Sequence, residues 1–138
     1  MTEGDAGTKL DDLSELLWRH VHPSWVRDGE PTSQAFKPTP KDQGKLSVSR
    51  GSLTTAPKAF ALHTESLGLD AVGTWAVSVG EVVAEPIVLS VYGDPVSAPV
   101  SDPAHALIDS SAQSRKSVET KAKLLLAAAR RRGIQHPV

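Results

Sequence analysis

The stretch Lys45–Leu67, KLSVSRGSLTTAPKAFALHTESL, constrains the fold more than any other part of the chain. Leu46 and Val48 alternate with Ser47 and Ser49 as far as Arg50. That period of two is the mark of a strand with one buried face. Gly51 ends the strand. Thr54 or Thr55 then caps a helix, with Pro57 in its first turn, where a missing N–H does no harm. Ala56, Phe60, His63 and Leu67 fall on one stripe of that helix, which is expected to face the core. Gly68 supplies the C-terminal stop. A strand feeding a helix, followed by the most apolar third of the chain, predicts an α+β domain.

The flanking segments extend this reading. Residues 1–10, MTEGDAGTKL, are small, polar and charged, and are expected to form a disordered tail. They resemble neither a secretory signal nor a basic transit peptide. Asp11 and Asp12 precede LSELLWRHVHP, which is expected to start as a short helix and pass into a strand near Trp18, stopping at Pro23. Residues 28–44, DGEPTSQAFKPTPKDQG, form a long Pro- and Gly-rich loop. Its one apolar spot is Ala35-Phe36, and Phe36 is expected to plug into the core and pin the loop; the competing reading is a substrate lid.

Further along, Ala71–Val79 reads as a strand. Ser78-x-x-Glu81 has capping-box spacing and predicts a short helix before Pro86; a single longer strand carrying Trp75, Val77, Val79 and Glu81 is the alternative. Ile87–Tyr92 and Ala104–Asp109 read as two more strands. Ser117–Arg132 is a helix with Val118, Ala122, Leu125 and Ala129 as its apolar stripe. The predicted architecture is one α+β domain over residues 11–138. It has a small mixed sheet of four to five strands flanked by two or three helices, the last of them basic (117–132).

The totals bound the function. A chain of 138 residues is long enough for one core without metal or disulfide staples. It has no cysteine, which excludes a disulfide framework, thiol catalysis and cysteine-ligated zinc, and fits a reducing, cytoplasmic setting. There is no apolar run long enough to span a membrane. With 15 basic and 16 acidic residues the chain is nearly neutral, so nucleic acid is not expected as the main partner.

Five clusters carry potential chemistry. His20-x-His22 on a strand would point both imidazoles one way and allow a shared metal completed by His63 or His105. No carboxylate sits at a diagnostic spacing, however, so a half-buried structural pair is preferred and no metal is predicted. Ser47 and Ser49, followed by Arg50, could hold an anion or a ribose, or simply face solvent. His63, on the helix stripe, reads as a core histidine. Asp102 and His105 in DPAHALI pair a carboxylate with an imidazole, although turn chemistry alone explains the motif. Lys116, Lys121, Lys123, Arg130, Arg131 and Arg132 read as a solvated basic face or a contact for an acidic protein partner rather than for phosphates, because no aromatic residues interleave them and the whole chain is nearly neutral.

Two resemblances follow from these residues. The order Arg19 and His20 on a first strand, Ser47 and Ser49 on a second, then Glu81, resembles the ADP-ribosyltransferase-like enzymes. That resemblance implies NAD as cofactor, held by Arg19 or His20 and a serine, with Glu81 orienting the nucleophile. The chain departs from the family in lacking an aromatic to clamp nicotinamide, since its one tyrosine, Tyr92, follows the glutamate. The segments SQAF, KLSVSRG and DPAHALI together are similar to a group of small uncharacterised bacterial proteins, which implies a bacterial protein encoded beside a partner. The primary functional expectation is an accessory or neutralising protein that binds a protein partner, as in a toxin–antitoxin or defence system. Phe36, Arg50, His105, Arg130 and Arg131 would be its contacts. The alternative is a nucleotide-handling enzyme.

Overall fold

Leu17 and Val21 are fully buried on one face of an extended segment, and Trp18 and His20 occupy the other. This is β1 (Leu16–Val21) of a computed structural model that describes residues 7–39 and 42–137. The helix expected over LSELL does not form. Asp12 instead accepts hydrogen bonds from the backbone N–H and hydroxyl of Ser14, and Leu16 is already paired with Ser78. A short side chain that bonds its own backbone two residues on favours a turn over a helix.

The remaining elements are β2 (Val26–Arg27), β3 (Glu30–Pro31), β4 (Lys45–Arg50), α1 (Ala56–Ala61), β5 (Gly73–Ser78), α2 (Val79–Val83), β6 (Ser90–Gly93), β7 (His105–Asp109) and α3 (Arg115–Arg132). The α+β class and the strand number are as the sequence indicates. The five-stranded sheet has the order β5-β1-β4-β7-β6, and every neighbouring pair is antiparallel rather than mixed. The α1 connection joins β4 to β5, which are separated by β1, so it creates no parallel pair.

Several local signals act as expected. Thr55 caps α1 by accepting from Lys58 N, and Pro57 lies in the first turn. Ser78 and Glu81 form the reciprocal capping box of α2, which ends the longer-strand reading of that segment. Ser114 caps α3, whose first residue, Arg115, is two ahead of the expected start at Ser117. Other segments differ. Asp28 and Gly29 both have positive φ, 54° and 79°, and form the two-residue turn of a β2–β3 hairpin inside the stretch read as loop. Ile87 and Leu89 are buried but irregular, so β6 is only Ser90–Gly93.

Both outer edges of the sheet are covered. Thr74 N donates to His136 O at 2.7 Å and Gln135 N donates to Thr74 O at 2.8 Å, which lays residues 133–137 along β5. On the far edge, Gly7 N donates to Gly93 O and Leu10 N to Val91 O. The tail expected over residues 1–10 is therefore structured from residue 7, where the edge of β6 offers backbone partners; residues 1–6 lie outside the described part. Covering an edge removes the unpaired groups that would template association with another chain.

The core lies between one face of the sheet and α3. Leu17, Val21, Leu46, Val48, Val77, Val91 and Ile108 meet Ala122, Leu125 and Ala129 there. Phe36, only 2% exposed, joins them from the 3-10 turn Ser33–Phe36 and anchors the loop as expected. Burying a side chain of that size contributes about 1.5–3 kcal/mol. The same burial means that Phe36 does not reach a surface where it would touch a partner. The opposite face of the sheet is covered only in part, by α1.

Candidate functional site

β1 and β4 pair only at one end, through Leu17↔Arg50 and Trp18↔Ser49. Gly51 allows that end to close: its N–H donates to Leu16 O at 2.7 Å, and a Cβ there would stand 2.7 Å from the same oxygen. Beyond Trp18 the strands diverge. Arg19 fills the split, donating from Nε to Ala35 O at 2.7 Å and from Nη1 to Ser47 O at 2.9 Å. Its guanidinium lies 5.1 Å from the Trp25 ring centre. Burial lowers the Arg19 pKa from 12.5 to about 10, which leaves it charged at neutral pH.

On the open face of the sheet this split widens into a cleft of about 550 Å³. His20, Ser47, Ser49 and Val48 line its floor; Leu62, His63, Leu67 and Leu69 form one wall, and Trp25, Thr39, Asp42, Asp102 and His105 the other. The volume is in the range of small-molecule sites, and the apolar walls with a few converging polar groups are their usual composition.

The wall beside α1 has a specific origin. After Ala61 the helix continues as a π-turn, Leu62–Ser66, instead of the regular helix the stripe predicts. Phe60 and His63 both face His20 from this helix, with ring centres 6.2 and 4.7 Å from it. His20 Nδ1 is 2.7 Å from the Thr74 hydroxyl oxygen. Burial, then the neighbouring His63, Arg19 and His136, push the His20 pKa down to about 3. Burial and Arg19 lower His63 as well, against a hydrogen bond to the Asp70 backbone that pulls it up. The imidazoles of the His20–His63 pair are therefore neutral at pH 7, and Arg19 is the cation beside them.

The shared-metal geometry does not arise among the described residues, where no group of three or more histidine and carboxylate side chains could hold an ion. His22 turns aside, and its Nδ1 accepts from Ser24 N at 3.0 Å. His105 approaches Asp94 rather than Asp102: its Nδ1 is 3.0 Å from Asp94 Oδ2 and 3.1 Å from Asp94 O.

Arg19, His20, Ser47, Ser49 and His105 thus reach one cleft, but Glu81 does not line it. Its carboxylate caps α2 and receives Arg132 Nη1 at 2.8 Å. Burial raises the Glu81 pKa, but the hydrogen bonds from Arg132 and Ser78 outweigh it and hold the group below the usual range. The ADP-ribosyltransferase-like order therefore lacks its glutamate in space. Arg50 is likewise occupied: Nε and Nη2 grip buried Glu15 at 3.0 and 3.2 Å, tying the end of β4 to the start of β1. Arg130 is 3.6 Å from Glu30 with both side chains half exposed, and Arg131 is exposed.

Sequence reasoning missed His63 as a cleft residue because the stripe it shares with Phe60 meets His20 on the open face of the sheet and not the core on the other. It also missed Asp94, which comes within reach only through strand register. Comparison with protein-family models, with curated proteins and with solved structures finds no match.

Proposed function

We propose that this protein binds a small anionic organic ligand of the nucleotide class in the cleft between β1, β4 and the α1 π-turn. The observation that carries the reading is the convergence of Arg19, His20, Ser47, Ser49, His63 and His105 on one cavity of about 550 Å³. Arg19 supplies a fixed positive charge for an acidic group. The serine hydroxyls and imidazoles offer hydrogen bonds for a sugar or ring edge, and Leu62, Leu67 and Leu69 offer an apolar surface for a flat base. NAD belongs to this ligand class, without the nucleophile-orienting role that the ADP-ribosyltransferase-like resemblance implies for Glu81.

The test is a thermal-shift panel of mono- and dinucleotides on the intact chain. A ligand at about 100 times its Kd adds about 2.7 kcal/mol of stability. Ser47 is exposed on the cleft floor, so Ser47→Phe should fill the cavity, keep the fold and abolish the shift. A panel with no shift at millimolar concentration sinks the proposal.

A second reading is the accessory or neutralising protein that docks a protein partner. It is favoured by Leu67, Leu69 and Val72, which are 37%, 50% and 45% exposed at and beside the mouth of the same cleft. Stoichiometric co-purification of one neighbour, lost in Leu69→Asp and accompanied by no nucleotide shift, would favour that reading over the first.

A further inference from the structure

The register of the sheet places a serine, a histidine and an aspartate side by side on three adjacent strands. Ser49 of β4 is directly opposite His105 of β7. Arg50 N donates to Ala104 O at 2.8 Å, which makes Ser49/His105 a non-hydrogen-bonded pair, the kind whose side chains stand closer together. One step beyond the Gly93↔Ala106 pair of β6 and β7, Asp94 N donates to His105 O at 2.8 Å, so Asp94 is the next residue in the same row. Residues directly opposite one another share a face, and this is the open face that carries the cleft.

The hydrogen bonds to Asp94 fix the tautomer of His105. His105 Nδ1 meets only acceptors, the Asp94 carbonyl oxygen at 3.1 Å and its carboxylate oxygen at 3.0 Å, so the ring proton is on Nδ1. In the neutral ring Nε2 then has a free lone pair, and the carboxylate behind Nδ1 stabilises the cation formed when Nε2 takes a proton. The imidazoles at the end of β1 do not offer this: His20 shares Nδ1 with a hydroxyl, and the Nδ1 of His22 already accepts a backbone N–H. Ser49 is 7% exposed, lines the cleft, and its hydroxyl makes no hydrogen bond to the described residues.

We infer that Ser49 is a nucleophile activated by His105, with Asp94 as the residue that positions and supports the imidazole, and that the cleft acts on an acyl group such as an ester. In the first step Ser49 Oγ bonds to the carbonyl carbon, its proton passes to His105 Nε2, and the carbonyl π electrons move onto oxygen. Collapse of that intermediate breaks the bond to the leaving alkoxide, which takes the proton from His105. Water then repeats the sequence on the acyl-serine, releasing the carboxylic acid and restoring Ser49. Arg19, anchored on Ser47 O two residues along the same strand, places positive charge in the cleft where negative charge develops. The inference rests on the cleft being the ligand site, but not on the ligand being a nucleotide.

The test uses the whole chain and an alkyl fluorophosphonate, which forms a P–O bond with an activated serine and expels fluoride. Intact-mass spectrometry should show one adduct, mapped to Ser49 and absent from Ser49→Ala. His105→Ala should slow labelling ten-fold or more with an unchanged melting profile, and added imidazole should restore part of the rate, which a purely structural role would not do. Asp94→Asn should slow labelling while Asp94→Glu retains more of it. No adduct on Ser49 in the folded protein, or labelling indifferent to His105→Ala, overturns the inference. Either result leaves nucleotide binding standing, and a failed nucleotide panel with Ser49 labelled leaves the nucleophile standing.

Discussion

Arg19 Nη1 donates to Ser47 O at 2.9 Å across the gap where β1 and β4 part, so one side chain replaces the backbone ladder that the two strands fail to make. The cleft exists because the ladder stops there. A regular β1–β4 pair would carry its hydrogen bonds to the end of both strands and leave no cavity between them.

Replacing Arg19 should therefore cost stability as well as ligand binding. Arg19→Leu leaves Ala35 O and Ser47 O without their donor, and hydrogen bonds to a charged group are worth about 1.5–3 kcal/mol each. A loss of about 3 kcal/mol in urea unfolding is expected. Arg19→Lys should recover only part of it, because a single ammonium cannot hold the two-pronged geometry of a planar guanidinium. An Arg19→Leu protein as stable as the parent would mean that the carbonyls find other donors.

Acid should weaken the fold earlier than its carboxylates alone would allow. His20 titrates near 3 when folded and near 6.5 when unfolded, so between those values only the unfolded chain takes the proton. Its contribution is fully present above pH 6.5 and is lost as the pH falls, at up to about 1.4 kcal/mol per pH unit. His63 is shifted in the same direction. Glu15 and Glu81 also have lowered values, but their ordinary value is 4.5, so they act further down. Melting temperatures should thus fall already between pH 6.5 and 5, and His20→Gln should flatten that part of the curve while leaving the steeper loss below pH 4.5.

The Glu15–Arg50 pair offers a second measure of what joins β1 to β4. Glu15 is 6% exposed and accepts from Arg50 Nε and from the Ser52 hydroxyl, the latter at 2.6 Å. Burial pushes its pKa up, but those hydrogen bonds and the charge of Arg50 outweigh it, so the carboxylate stays ionised. Removing one partner of such a pair leaves a buried charge and costs about 3–5 kcal/mol. Glu15→Gln and Arg50→Met should each fall in that range, and the double variant should be less destabilised than the sum of the two.

Much of this architecture is legible in the sequence, because β4, α1, α2 and α3 each carry their own signal. Thr55, the Ser78/Glu81 box and Ser114 act within three residues of themselves, so local chemistry decides them. The Asp28-Gly29 turn was equally local: an Asp-Gly pair between two extended segments is a hairpin signal, obscured by the prolines around it. The cleft is different. Arg19, Ser47 and His105 were each visible as candidates, but what unites them is the divergence of β1 from β4 and the register of β7, which depend on contacts far apart in the chain. His63 lies in the cleft because the α1 stripe it shares with Phe60 packs against His20 on the open face of the sheet, and no local signal says which face of a sheet a helix will cover. Glu81 shows the converse error, since a residue that fits a loose order of functional groups also fits a capping box, and the box is what forms.

Glu81 therefore gives a test that separates helix capping from chemistry. Glu81→Ala removes half of the α2 capping box and the 2.8 Å contact with Arg132 Nη1, at an expected cost of about 1–2 kcal/mol in unfolding free energy. It removes nothing from the cleft, so nucleotide-induced thermal shifts and the rate of fluorophosphonate labelling should both match the parent at a temperature where the variant is folded. Arg132→Ala, which breaks the same contact from the α3 side but leaves the capping box in place, should show a smaller stability loss and also leave both cleft readouts alone. Loss of ligand response in Glu81→Ala but not in Arg132→Ala would give the glutamate a direct part in the chemistry, and would mean that the α2 cap opens when ligand enters.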